Sequence, residues 1–185
     1  QLFEILPNAS KIDGIRISKL LKNDWETISP ILHRWNTIFQ DKSIPDLETQ
    51  FTKFVHVYFV INSRCLYTEI SLKEDPVDKF TMVPYVDFLN HTTEVGVHCY
   101  PKMDTFKKNN YGIGQFSIRC GSHEYNKLGE ELFLNYGAHS NDFLINEYGF
   151  VVDNNDWNFI DVTPEIESLV CNPKQRDFLE AHGYW

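Results

Sequence analysis

Three short clusters of residues could do chemistry in this chain. They are Asp87-x-x-Asn90-His91, Asn135-Tyr136-Gly137 and Tyr148-Gly149-Phe150, with Arg64 upstream of all three. An Asn side chain offers both a donor and an acceptor, and backbone groups beside it in a turn can reach a polar ring. A buried tyrosine hydroxyl, as on Tyr136, can orient an amine, and its ring can face a cation. Each cluster also has a plainer reading. Turns are rich in Asp and Asn, Tyr136 suits a strand-end aromatic in the core, and Tyr148 suits the core face of a helix.

It is the order of the segments that adds information. The run Val83-Pro84-Tyr85-Val86-Asp87-Phe88-Leu89-Asn90-His91 is followed by Gly129-Glu130-Glu131, Asn135-Tyr136-Gly137, Ser140-Asn141-Asp142 and Tyr148-Gly149-Phe150. Together these resemble the C-terminal half of a SET domain, over about residues 54–152. The resemblance is strongest to the subgroup with a helical insert inside the domain and a helical substrate-binding domain after it, the Rubisco large-subunit and ribosomal-protein lysine methyltransferases. It implies S-adenosylmethionine-dependent methylation of a protein lysine, with ribosomal proteins and translation factors as the subgroup's commonest substrates. It implies Tyr136 as the catalytic residue, and Arg64, Asp87, Asn90, His91 and Tyr136 around the cofactor. Asn90 would meet the amino-acid end, the backbone beside His91 the adenine, and the Arg64 charge the cofactor carboxylate. Leu66 and Tyr148 would line the lysine channel, where an aromatic wall accepts an aliphatic stem and a methylated ammonium. A family tyrosine falls near His98 and Tyr100; the resemblance does not choose between them, and Tyr100 is carried as the substrate-binding candidate. Asn141 reads as structural, ordering a helix start and a loop.

Two departures from the subgroup have consequences. His56 stands where a tryptophan is usual, which bears on local packing. The Gly-rich segment that opens a SET domain has no counterpart: Gly14 is isolated, and Gly112-Ile113-Gly114 follows Asn90-His91. The chain is therefore expected to be an internal fragment holding half of a cofactor site, weak or inactive alone because a half-site loses preorganisation. The same departures motivate one alternative, a non-catalytic SET-like interaction module; a protein-histidine methyltransferase of the same architecture is another.

These residues need elements to hold them. Ser29-Pro30 reads as a helix start, Ser as cap and Pro at the first helical position. A longer helix follows Pro45, with Asp46 near its start. Leu47, Phe51, Phe54, Val55, Tyr58 and Ile61 recur at three- and four-residue steps up to Ser63-Arg64. Short strands are predicted over 65–70, 81–87, 95–101, 112–120 and 131–136, with polar loops over 102–110 and 121–129. Ser140 then caps a short helix that Gly149 stops. Thr163-Pro164-Glu165 starts another, and 174–182 is a last helix before Gly183. The fold class is α+β: a helical insert over 1–63, a SET-domain C-terminal half with short twisted sheets and a knot-like core over 64–162, and the start of a helical substrate-binding domain over 163–185.

Composition narrows the classes further. The chain has 185 residues, 42% hydrophobic and 15% aromatic, which is enough for one core. Its formal charge of −9 argues against non-specific nucleic-acid binding, which needs a basic face, and suits basic protein partners. The longest apolar run, residues 57–61, is too short to span a bilayer. Gln1-Leu2-Phe3-Glu4 lacks the basic flank and apolar core of a secretory signal. Cys65, Cys99, Cys120 and Cys171 form no C-x-x-C, which argues against a zinc ribbon, and without a secretory signal they read as free thiols in the reducing cytoplasm or nucleus. His33, His98, His123, His139 and His182 show no ligand spacing, and no metal is expected.

Overall fold

A computed structural model describes residues 3–39, 45–68, 75, 79–104, 115–170 and 172–183. Helix α1 is Asn8–Phe39 and α2 is Leu47–Arg64. Six short strands follow: β1 Cys65–Tyr67, β2 Phe80–Met82, β3 Asn90–His91, β4 Tyr100–Asp104, β5 Gln115–Arg119 and β6 Phe133–Leu134. Helices α3 Asn141–Glu147, α4 Thr163–Leu169 and α5 Pro173–Ala181 complete the chain. A single 3-10 turn, Val86–Phe88, lies between β2 and β3.

Pro30 does not start a helix; it lies inside the 32 residues of α1. A proline in a helix forfeits one i→i−4 bond and crowds the preceding turn. Here the helix is already fixed upstream. Its buried residues Ser10, Ile17 and Leu21 all precede Pro30. Asn146 Nδ2 on α3 donates to the Ser10 carbonyl at 2.9 Å, and the Ser10 hydroxyl donates to Asp142. Gly14 permits this closeness, since a Cβ there would meet Asn146 Oδ1 at 3.1 Å. Trp25 then packs on Phe51 and Phe54 of α2, each ring pair 5.3 Å apart.

Helix α2 begins as its sequence predicts. Asp46 is the cap, accepting the Thr49 N–H at 3.0 Å and the Thr49 hydroxyl at 2.9 Å, and those bonds hold its carboxyl below the usual range. The helix runs straight into β1, so Arg64 is both its last residue and the doorway to the sheet.

The strands are shorter than predicted and form three two-stranded sheets. β1 and β2 are antiparallel, with Leu66 opposite Thr81. β4 and β5 are antiparallel from Tyr100 opposite Arg119 to Asp104 opposite Gln115. The expected strand over 81–87 stops at Met82, because Val83-Pro84-Tyr85-Val86 turns instead, with Val86 N–H donating to the Val83 carbonyl at 3.2 Å. Tyr85 takes φ 73° in that turn, at a position that favours glycine. The strand expected over 95–101 begins only at Tyr100, and that over 131–136 contracts to Phe133–Leu134. The ends of the strands and loop expected over 69–70, 105–110 and 112–114 lie outside the described residues.

The third sheet matters most for the site. β3 and β6 pair in parallel, Asn90 opposite Phe133 and His91 opposite Leu134. On its other side, Cys99 bridges Leu134, and Cys99 N–H donates to the Phe133 carbonyl at 2.7 Å. β6 is thus the middle of three segments. Its Leu134, with Cys99 and Leu144 of α3, belongs to the buried core.

Candidate active site

Tyr136 lies just past the end of β6. The Tyr136 N–H donates to His91 Nδ1 at 3.0 Å, and its hydroxyl donates to the Leu89 carbonyl at 2.6 Å. A backbone N–H can only donate, so Nδ1 of His91 carries a lone pair and the ring is neutral with its proton on Nε2. Burial, and secondarily the proximity of His139, lowers the His91 pKa in agreement with that geometry. Burial likewise raises the Tyr136 pKa, partly opposed by Arg64, so the phenol is neutral near pH 7.

Four rings gather here. His91 and Tyr136 lie 5.1 Å apart, Tyr136 and Tyr148 5.0 Å, and Phe150 faces His91, Tyr148 and Tyr136 at 5.8, 6.1 and 6.3 Å. Tyr148 is the C-cap of α3, and Gly149 at φ 81° turns the chain so that Phe150 joins the group. Burial raises the Tyr148 pKa as well, with Glu147 next in effect.

Arg64 comes from the other side. Its Nη1 donates to the Asp87 carbonyl at 2.9 Å and lies 3.5 Å from Asp87 Oδ2, while the guanidinium sits over Phe88, 5.5 Å from the ring centre. The 3-10 turn Val86–Phe88 is what presents Asp87 to it. Oδ1 of Asp87 is buried with no hydrogen-bond partner among the described residues. An unsatisfied buried carboxylate oxygen is costly and marks a place where a donor group belongs. Asn90 is exposed and donates to Glu131 Oε1 at 2.6 Å, which ties the Asp-x-x-Asn-His turn to the Gly-Glu-Glu segment.

Two hollows meet at these residues. One of about 540 Å³ is bounded by Leu66, Leu89, Tyr136, His139, Phe143 and Tyr148 among others. A second of about 220 Å³ is bounded by Ser63, Arg64, Asp87, Phe88, Asn90, Tyr136, Tyr148 and Phe150. Arg64, Asp87, Tyr136 and Tyr148 stand on the walls of both. Leu66 is on the larger alone and Asn90 on the smaller alone. A third hollow, between α4 and α5, is bounded by Ile166, Leu169 and Phe178 and contains none of these residues. Tyr100 is on none of the three walls, although its neighbour Pro101 is on the largest. Successive strand residues point to opposite faces, so placing Pro101 inward turns Tyr100 outward, where it is 45% exposed. Among the described residues, the His98 ring lies 3.4 Å from the Glu94 carbonyl.

His139 is the residue that sequence reasoning passed over. Its Nε2 lies 3.2 Å from the Tyr136 carbonyl, and its ring stacks on Phe143 at 4.1 Å and 19°. The signal that could have found it is Gly137, two residues earlier. At φ 132°, Gly137 folds the chain back so tightly that a Cβ there would lie 2.5 Å from His139 Nε2. Asn141 has the structural role expected of it: its side chain accepts Val152 N–H and donates to the Val152 carbonyl, while Asn155 Nδ2 donates to Asn141 Oδ1. Among the described residues no group of three or more His, Cys, Asp and Glu side chains could hold a metal ion. No helix among them is long and apolar enough to cross a membrane.

The chain has relatives among known proteins. The chain is 52% identical over its whole length to ribosomal lysine N-methyltransferase 2 of Saccharomyces cerevisiae, of which it spans 41%. It is 30% identical over 81% of its length to ribosomal lysine N-methyltransferase set11 of Schizosaccharomyces pombe, spanning 38% of that protein. The crystal structure of the SET domain of LSMT bound to lysine and AdoHcy superposes on 92% of the chain with a TM-score of 0.57, at 17% identity and over 36% of that structure. The chain belongs to the SET-domain proteins. No family model matches the sequence. The SET-domain chain spans about two fifths of the length of these two curated relatives. Its short sheets, and the helices before and after them, are a SET-type α+β fold.

Proposed function

We propose that this chain is the catalytic part of a protein-lysine N-methyltransferase that uses S-adenosylmethionine and acts on a ribosomal protein. The observation that carries the reading is the position of Tyr136 on the wall shared by two hollows, one reached by Leu66 and the other by Asn90. Methyl transfer to an amine is an in-line displacement, which needs a donor and an acceptor approaching one point from opposite sides. The two yeast relatives are named as ribosomal lysine N-methyltransferases, which supports both the reaction and the substrate class.

The residues fit the cofactor. Arg64 offers a cation to its carboxylate, and the unsatisfied Asp87 Oδ1 offers an acceptor to its donor groups. The rings of Tyr136, Tyr148, Phe150 and His91 suit a sulfonium and its neighbours. When bound, S-adenosylmethionine supplies an activated methyl group. The chain supplies the rest. The apolar wall of Leu66, Phe143 and Tyr148 disfavours a charged lysine and so lowers its pKa. The Tyr136 hydroxyl donates its hydrogen bond to the Leu89 carbonyl, so its oxygen lone pairs remain to orient an entering amine. The three described cysteines are all free thiols, which suits the cytoplasm or nucleus.

The test uses the full-length protein with S-adenosylmethionine and ribosomal proteins from cells that lack the enzyme, read by mass spectrometry. One added methyl or more on a lysine is expected. Methyl on a histidine would reassign the residue type. No transfer, together with no AdoHcy binding by calorimetry, would leave only a protein-interaction module.

A further inference from the structure

We propose that His139 is a positioning residue for Tyr136, holding its carbonyl while His91 holds its N–H. This rests on the methyltransferase reading for its effect on rate, but not for its geometry. The backbone of Tyr136 is gripped at both polar ends by imidazoles. His91 Nδ1 takes the N–H at 3.0 Å, and His139 Nε2, 3.2 Å from the carbonyl oxygen, must bring the proton because a carbonyl only accepts. The third grip, from the hydroxyl to the Leu89 carbonyl, fixes the ring tip. A tyrosine held at N–H, carbonyl and hydroxyl has little freedom left in ring direction.

His139 is itself built in. Phe143 stacks on its ring and sets the ring plane. Its N–H donates to the Gly137 carbonyl at 3.0 Å, and its carbonyl accepts from the buried Asn155 at 2.9 Å. Gly137 must lack a side chain for Nε2 to come so close. The ring also forms part of the wall of the larger hollow, beside Tyr136 and Tyr148, so it acts on Tyr136 from within the site. The two grips differ in kind. His91 works only when Nδ1 is bare, whereas Nε2–H of His139 donates whether or not that ring is protonated. Alignment of a reacting group to a fraction of an ångström carries much of the rate in a displacement of this sort, and a supporting contact holds that alignment.

The test compares His139→Phe with His139→Gln in the full-length protein. Phe keeps the stack on Phe143 and loses the donor; Gln keeps an N–H donor and loses the stack. Two readouts are taken: turnover at saturating S-adenosylmethionine, and hydrogen exchange at the Tyr136 amide. His139→Phe is expected to lower kcat about tenfold with KM for the cofactor little changed, and to speed Tyr136 exchange, while His139→Gln restores most of both. The reverse order, with Gln slow and Phe near wild type, would make His139 a packing residue and overturn the proposal. So would Tyr136 exchange unchanged in both variants. If the wild type transfers no methyl group at all, the functional reading fails while the exchange data still decide the role of His139.

Discussion

Tyr136 is fixed at three points, so substitutions at it and around it have separable effects. Tyr136→Phe in the full-length protein removes the hydroxyl and leaves both backbone grips. Turnover should fall by about 10²–10³, the usual loss for one preorganised polar group, with AdoHcy affinity by calorimetry within a factor of a few. Near-normal turnover would remove Tyr136 from the chemistry. His91 makes the site sensitive to acid. Its folded-state pKa lies below the ordinary value of 6.5, so the unfolded chain binds more protons in the interval between them. That part of the stability is complete above about 6.5 and is lost as pH falls through the lowered folded value. Protonation puts a hydrogen on Nδ1 against the Tyr136 N–H, so melting temperature and Tyr136 amide protection should fall together below that point. His91→Gln should flatten this acid limb; an unchanged limb would assign it to other groups. At this scale local spacing marked Asp87-x-x-Asn90-His91 and Asn135-Tyr136-Gly137, and the structure brings Asp87, Asn90 and Tyr136 to one hollow. His139 was missed because its reach to the Tyr136 carbonyl depends on a tight turn at Gly137, whose positive φ no spacing pattern marks.

The elements show where local rules lose to packing. Ser29-Pro30 carries a proper helix-start signature, yet α1 continues through it because contacts with α2 and α3 fix the helix earlier. One lost backbone bond costs less than giving up that packing. Tyr100 could not be placed from sequence because strand face depends on register, and a one-residue shift reverses it. The cap at Ser140 was legible as a short-range bond, with Ser140 accepting the Phe143 N–H at 3.4 Å; the equally local capping box of Asn172 with Gln175 was not read from the sequence. Ser140→Ala should cost about 1 kcal/mol in denaturant unfolding. Asn155→Ala should cost more, about 1–3 kcal/mol, because it strands the His139 carbonyl and the Trp157 N–H, which now bond to its amide. Equal effects of the two would mean that the loop after α3 is less dependent on Asn155 than its bonds imply.

At the scale of the whole molecule the two hollows are unequal. The smaller, at about 220 Å³, falls short of the ~300 Å³ at which small-molecule sites begin. A cofactor with an adenine, a ribose and an amino-acid end needs further walls beyond the described residues. The isolated 185-residue chain should therefore bind AdoHcy at least about tenfold more weakly than the full-length protein, by calorimetry on both. Equal affinity would show that Arg64, Asp87, Asn90 and Tyr136 suffice. The α+β class was legible from the change of periodicity after Arg64. The way the helices lean on α3 was not, because Gly14 and Asn146 meet across the whole sequence. The placement of β6 between β3 and Cys99 has a consequence in time. His91 and Tyr136 are 45 residues apart, and the loop between them must close before the His91 imidazole finds the tyrosine. Parallel, non-local pairings of this kind form slowly. On a ribosome, the segment from Asn90 to Cys99 emerges first and waits with an open slot. Tyr136 thus comes into register late, and a chain stalled before Leu134 lacks the strand residues that pair with β3.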